Sequence, residues 1–457
     1  MSKPAEAPLQ PITVPKSKIF FEKYLFPVAL VVLLLLPHIL FFQNGYVDLE
    51  DTQSDAAAQL ISRGFNAQLE DYFTKMANPL LSVFLFAGSY SIFGESVLVS
   101  RLTIFAVALI FILLLYYYLK KKEGFFTASI TSVLVAVNPL VIVYSQYVSG
   151  DLLYLAILSF ALLLFFYARS YKGLVVSSVA LGLSLATKFV TVITFPVVFV
   201  YTLLEDKILN RFSPAKFWAF IRFNFWYFAL AVLVSLPVVL LVFLYQDSLL
   251  SSEFQSRHSF SVDMLVSRFF AYILWLGLFL GPACLIFIYD FVKRTGIIKF
   301  SILLVALAAF DFILTRFVPI SSLHALEKSF GEMNLGGLEN YIPEPQISVA
   351  LFFVLLIAEM FIAGMILEFK NRRNSRFIFL FFWILMPVVF MSFTRAANRY
   401  MFTLLVPLSL YTTDVARRLF TGRTRIFVFG VLAFHVLLCL TAGFLANHQL
   451  GLRGLNG

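Results

Sequence analysis

The sequence predicts an all-α polytopic membrane protein with about 13 transmembrane helices. Three observations carry this. Of the 457 residues, 61% are hydrophobic, and the mean hydropathy is +0.90. Apolar runs near the length needed to cross about 30 Å of hydrocarbon recur from residue 24 to residue 446. Only 13% of the residues are charged, too few to cover such a chain in water. The runs are continuous rather than alternating, which excludes a β-barrel and leaves helices as the way to satisfy the backbone in lipid.

The spans fall at about 24–43, 97–119, 124–144, 152–168, 173–187, 189–204, 223–245, 268–291, 300–318, 347–368, 377–393, 400–416 and 426–446. The segment "NPLLSVFLFAGSYSIFG", 78–94, is apolar but short, and suits an interfacial or re-entrant helix in the first outer loop. Alternate loops collect most of the 35 basic residues: the tail lysines with Lys23, Lys120–Lys122, Arg169 with Lys172, Lys207 to Arg222, Lys293 to Lys299, Lys370 to Arg376, and Arg417 to Arg425. By the positive-inside rule that side is the cytoplasm. The expected protein lies in the plasma membrane with a cytoplasmic N-terminus and an extracytoplasmic C-terminus. The loops 44–78, 145–151, 246–267, 319–346 and 394–400 then face outward.

The net charge of +10 does not indicate nucleic acid, because the basic residues sit in short loops that topology explains. Cys284 and Cys439 both fall inside apolar runs, so neither a disulfide framework nor a cysteine metal site is present. There is no secretory cleavage signal at the N-terminus, no internal repeat evident, and no glycine-rich phosphate loop of the GxxxxGK[ST] kind.

The candidate chemistry is on the outer face. "GYVDLEDTQSD", 45–55, places Asp48, Glu50, Asp51 and Asp55 at the edge of the first span. Carboxylates near low-dielectric lipid can be tuned as general bases, and Asp48, Glu50 and Asp51 could also hold a divalent cation through oxygen ligands. A solvated polar loop is the competing reading. Asp151 opens a helix after "SQYVSG", where the dipole favours an acid, at the same membrane depth as the first cluster. Lys188 stands between two apolar runs on the side where lysines are scarce, either snorkelling or clamping an anion. Arg395 and Arg399, followed by Tyr400, offer guanidinium forks suited to phosphate oxygens, or an aromatic–basic interfacial anchor. Within spans, Asp311 has Arg316 nearby in sequence, and Glu359 has no obvious partner; intramembrane ionisable groups are functional candidates. Arg101 pairs with one of the loop acids in this reading, and Asp55 serves as loop or helix-capping structure.

In order along the chain stand an acidic pair after the first span, an apolar helix ending "FGES", "SRL", "SGDLLYLAILSFALLLFFYA", "GLSLATK" and "NRYMFTLLVPLSL". This order resembles the GT-C superfamily of polyprenyl-phosphate-sugar-dependent glycosyltransferases, of the aminoarabinose-transferase and protein O-mannosyltransferase types. The resemblance covers residues 24–200 and, more loosely, 377–416. It implies a GT-C catalytic module over 24–204 with the acidic outer loop 44–78. A variable transmembrane module would then occupy 205–446 with outer loops 246–267 and 319–346. Short tails at 1–23 and 447–457 complete the layout.

The resemblance further implies a loop carboxylate as general base on the acceptor, Asp48 or the Glu50–Asp51 pair, with Asp151 as the second acid, supporting the first or a divalent metal ion held with Asp48 and Asp51. Lys188, Arg399 and Tyr400 match positions near the donor phosphate, Arg395 stands beside them, and Arg101 shapes the site. The family often places a basic residue immediately before a proline where this chain reads "MANPLL"; Lys75, four residues upstream of Pro79, is the substitute. The implied partners are a polyprenyl-phosphate-linked sugar, membrane lipid, and a protein, lipid or glycan acceptor. No cofactor is required beyond the possible metal ion. A transporter or flippase for a lipid-linked saccharide is the alternative; such proteins show repeat halves and sites near the bilayer midplane, and this chain shows no halves.

Overall fold

The computed structural model describes residues 17, 20–38, 50–64, 69, 72, 80–168, 170–205, 213–246, 262–317, 344–371, 374–392 and 401–456, at several helix ends by backbone alone. Among the described residues the regular structure is entirely helical. In chain order α1 is Phe26–Leu35, α2 Glu50–Arg63, α3 Leu81–Phe93, α4 Val97–Glu123, α5 Phe125–Ala136, α6 Pro139–Tyr144, α7 Asp151–Tyr167, α8 Tyr171–Thr187 and α9 Phe195–Glu205. There follow α10 Pro214–Gln246, α11 Val262–Leu280, α12 Cys284–Thr295, α13 Ile297–Phe317, α14 Glu344–Asn371, α15 Ser375–Met391, α16 Phe402–Leu419 and α17 Thr424–Asn456.

Five described stretches are long and apolar enough to cross a membrane: Val97–Glu123, Pro214–Leu241, Tyr272–Thr295, Phe352–Phe369 and Thr424–Leu445. Shorter apolar helices pack among them. The protein is therefore a polytopic membrane protein. Large aromatics such as Trp275, Trp383, Tyr154 and Phe111 fill the interior, while Trp218 and Trp226 of α10 point outward, as apolar side chains facing lipid do. Gly182 lets α8 meet the backbone of α10 at Ala231, and Gly277 lets α11 meet α14 at Val354. Small residues at crossings are how membrane helices approach closely.

Some boundaries differ from the expected spans. The run 124–144 is two helices, because Asn138 caps α6 with its side chain on the Leu140 amide at 3.0 Å and Pro139 has no amide to continue α5. The run 268–291 breaks at a short 3-10 turn, Gly281–Ala283, where Gly281 has φ +40°, a backbone state that favours glycine. The run 189–204 begins as a 3-10 turn, Phe189–Thr194, before α9. At about 1.5 Å per residue, α3 spans only about 20 Å, less than a bilayer core.

The helix ends near Lys120–Lys122 form a basic end of the bundle. Lys120 reaches Glu22 at 3.3 Å there, so the N-terminal segment and the C-terminal end of α4 meet. Two part-buried ion clusters join helices remote in the chain at this end. Arg376 forks onto both oxygens of Asp414 at 2.9 Å, pairs with Glu123, and lies 3.4 Å from the Tyr167 hydroxyl. Glu368 accepts from Arg418 at 2.7 Å and from Tyr411 at 2.8 Å, while Arg294 and Arg418 also reach Asp290 at 2.5 and 3.2 Å. The opposite end carries α2, α3 and the turn before α7.

Candidate active site

The site is built on that opposite end, around the turn 145–151. Asp151 is the first residue of α7, and Lys188 is the residue that ends α8. The Lys188 ammonium pairs directly with the Asp151 carboxylate. Both are buried, at 3% and 5% exposure. Two residues singled out separately in the sequence are thus one ion pair. Lys188 is extended (φ −152°, ψ 130°); its carbonyl accepts from the Thr191 hydroxyl at 2.9 Å, and Thr191 in turn meets Ser184 at 3.0 Å. The short polar side chains stop α8 and turn the chain into the following 3-10 turn.

The turn that delivers Asp151 is pinned at each step. His38, just after α1, lies 3.0 Å from the Ile142 carbonyl and 2.5 Å from the Ser145 hydroxyl. Arg101 donates to the Gln146 carbonyl at 2.8 Å. The Asp151 amide donates to Ser149 Oγ at 3.3 Å. Gly150 sits so close to Ser82 that a Cβ there would lie 2.9 Å from its hydroxyl, with Thr187 on the other side at 3.6 Å. Gly150 therefore lets α3, α7 and α8 converge beside Asp151. Tyr72 is hydrogen-bonded with Ser82, and burial pushes its phenol well above the ordinary value, so it stays protonated.

The acidic segment reaches the same place by a relay. Glu50 and Asp51 open α2, whose next residues, Thr52, Gln53 and Ser54, are buried. Ser54 Oγ lies 2.6 Å from the Tyr90 hydroxyl of α3, which also bonds Ser100 of α4. The residue after Ser100 is Arg101, which grips the Asp151 turn. Asp55 is exposed in the second turn of α2; it is a helical surface residue rather than a loop or cap.

Asp48, Lys75, Arg395, Arg399 and Tyr400 lie outside the described residues, as do the side chains of Glu50, Asp51 and Asp311. Glu359 is buried in α14. The described Arg101 bond is to a backbone carbonyl rather than to an acid. Of the suggested metal-ligand set, the described member, Asp151, has one carboxylate oxygen on the Lys188 ammonium. Among the described residues no group of three or more His, Cys, Asp or Glu is placed to hold a metal ion.

His38, Ser82, Gly150 and Tyr90 were not singled out by the sequence. An ionisable His38 inside "LLPHILFF" was a usable signal, since such residues in apolar runs are costly unless partnered. The others carry no local signal.

Residues 77–240 match the profile of a family described as dolichyl-phosphate-mannose-protein mannosyltransferase. The matched segment contains Ser82, Arg101, Asp151 and Lys188, the framework of the site. The chain has the fold of the GT-C membrane glycosyltransferases. Its structure is similar to that of ArnT from Cupriavidus metallidurans bound to undecaprenyl phosphate, with a TM-score of 0.50 and 13% identity, over 94% of this chain and 75% of that one. It is also similar to the Archaeoglobus fulgidus oligosaccharyltransferase tethered to an acceptor peptide containing the NVT sequon, with a TM-score of 0.50 and 15% identity, over 95% of this chain and 56% of that one. At these identities the likeness carries the fold. No curated protein sequence matches the chain.

Proposed function

We propose that this protein transfers a sugar from a polyprenyl-phosphate donor to a hydroxyl-bearing acceptor at the extracytoplasmic face of the membrane. The observation that carries the reading is the relay from the first turn of α2 to the buried Asp151–Lys188 pair, inside the segment matched by the mannosyltransferase family. The undecaprenyl phosphate bound by the ArnT relative supports the donor class. The bias of basic residues toward the end with Lys120–Lys122 supports placing the site outside.

In this mechanism a carboxylate among Asp48, Glu50 and Asp51 removes the acceptor proton. The acceptor oxygen attacks the anomeric carbon, the carbon–oxygen bond to phosphate breaks, and polyprenyl phosphate departs with the bonding pair. Charge grows on the phosphate as it leaves, so fixed cations there lower the barrier. Lys188 is one such cation. Asp151 holds its ammonium in place, so that it need not reorganise when the bond breaks. Lys75, Arg395, Arg399 and Tyr400 complete the phosphate side. Seating both reactants at one membrane depth turns an encounter into an intramolecular step.

The test is transfer by the purified protein from a polyprenyl-phosphate sugar, with Asp48→Asn, Glu50→Gln and Asp51→Asn made singly and together. The triple variant should lose transfer, and the single variant that does so identifies the base. Undiminished turnover in the triple variant would sink the assignment.

A further inference from the structure

We infer that the last helix, α17, sets the position of Asp151 through one contact, Gly443 against Ile142, which makes Gly443 a positioning residue; its catalytic consequence rests on the glycosyl-transfer reading above.

Ile142 is in α6, a helix of six residues, and is fully buried. α17 packs on α6. A Cβ on Gly443 would stand 2.6 Å from Ile142 Cδ1, 2.9 Å from Cγ2 and 3.1 Å from Cβ. Rotating the δ-methyl away does not clear the other two atoms, and a β-branched side chain has little χ1 freedom. Any larger residue at 443 must therefore separate the two backbones.

α6 is the element that yields. α17 is a continuous 33-residue helix with a second anchorage, where His435 Nδ1 faces the Gly281 turn, 3.4 Å from where a Cβ would be. α6 is a single short helix between turns. Whatever displaces Ile142 displaces its carbonyl, which is bound to His38, and then Ser145, also bound to His38. The next residue, Gln146, is held by Arg101, and the strain passes over Ser149 and Gly150 to Asp151. That residue must meet Lys188 in a buried site without slack. Misplacing a reacting group by about 1 Å can cost about 100-fold in rate.

The experiment combines transfer kinetics with a thermal-stability cycle on the full-length purified protein. Gly443→Val should lower kcat by about 10- to 100-fold and leave KM for the polyprenyl-phosphate sugar near its wild-type value. Ile142→Ala in the same chain should restore most of the loss, because it removes the two closest atoms, Cδ1 and Cγ2. A Gly443→Val chain that turns over at the wild-type kcat, or that Ile142→Ala fails to rescue, overturns the inference. If Gly443→Val does not purify as a folded species, Gly443→Ala, with a single added carbon, takes its place. If the wild-type protein transfers no sugar, the functional reading falls and the inference is decided by Tm alone. Asp151→Asn should then cost less Tm in the Gly443→Val background than in wild type, since the pair is already displaced; equal costs overturn it.

Discussion

The ammonium of Lys188 rests on the carboxylate of Asp151, a residue 37 positions earlier, and both side chains are almost wholly shielded from solvent. One charge is the reason the other is tolerated. Leaving either alone costs about 3–5 kcal/mol in a buried site. Lys188→Met and Asp151→Asn should each lower stability by that order. The double variant Asp151→Asn/Lys188→Met should lose less than the sum. Thermal unfolding in detergent measures this, and additive losses would count against a coupled pair.

Gly150 is the packing counterpart of that pair. Gly150→Ala drives a methyl against Ser82, with overpacking worth about 1–3 kcal/mol. Because the neighbouring residue is Asp151, turnover should fall together with Tm. Ser82→Gly in the same chain should relieve both, and a Gly150→Ala protein with unchanged Tm and turnover would contradict the close approach.

His38 ties the N-terminal segment to the same turn through Ile142 and Ser145. His38→Ala leaves the buried Ile142 carbonyl and Ser145 hydroxyl without that partner, at about 1–3 kcal/mol. The expected result is a lower Tm and a reduced kcat. His38→Gln, which keeps a donor, should recover part of each.

Arg376 answers two carboxylates, Glu123 and Asp414, at the opposite end of the bundle. Arg376→Met leaves these part-buried acids facing each other and should cost about 1–3 kcal/mol. Its distance from the Asp151 turn predicts unchanged turnover per folded molecule. A selective loss of kcat with normal stability would place this cluster in the reaction.

Much of the architecture was legible because membrane insertion is read locally. α4 was expected over 97–119 and runs Val97–Glu123; α7 was expected over 152–168 and runs Asp151–Tyr167. Each needs only its own apolar length. The breaks at Asn138–Pro139 and Gly281–Pro282 were missed, although proline and glycine marked them, because hydropathy continues across both. Asp151 and Lys188 were found as oddities, an acid and a base in greasy surroundings. Gly150, Ser82 and Tyr90 were not, since nothing in their own neighbourhoods distinguishes them from packing residues.

The sequence by itself determined that this chain is a helical membrane protein, with its basic residues gathered in alternate loops and a short list of charged candidates. Apolar length and charge placement are properties of a segment, and they survive without knowledge of its neighbours. Only the tertiary structure decided which charges meet. It joined Lys188 to Asp151, turned Arg101 toward Gln146, and gathered Arg294, Arg376 and Arg418 into ion clusters that a topology count reads only as loop charge. Pairing depends on distances of a few ångströms between helices remote in the chain, and in a low-dielectric interior those distances set whether a charge is stable at all.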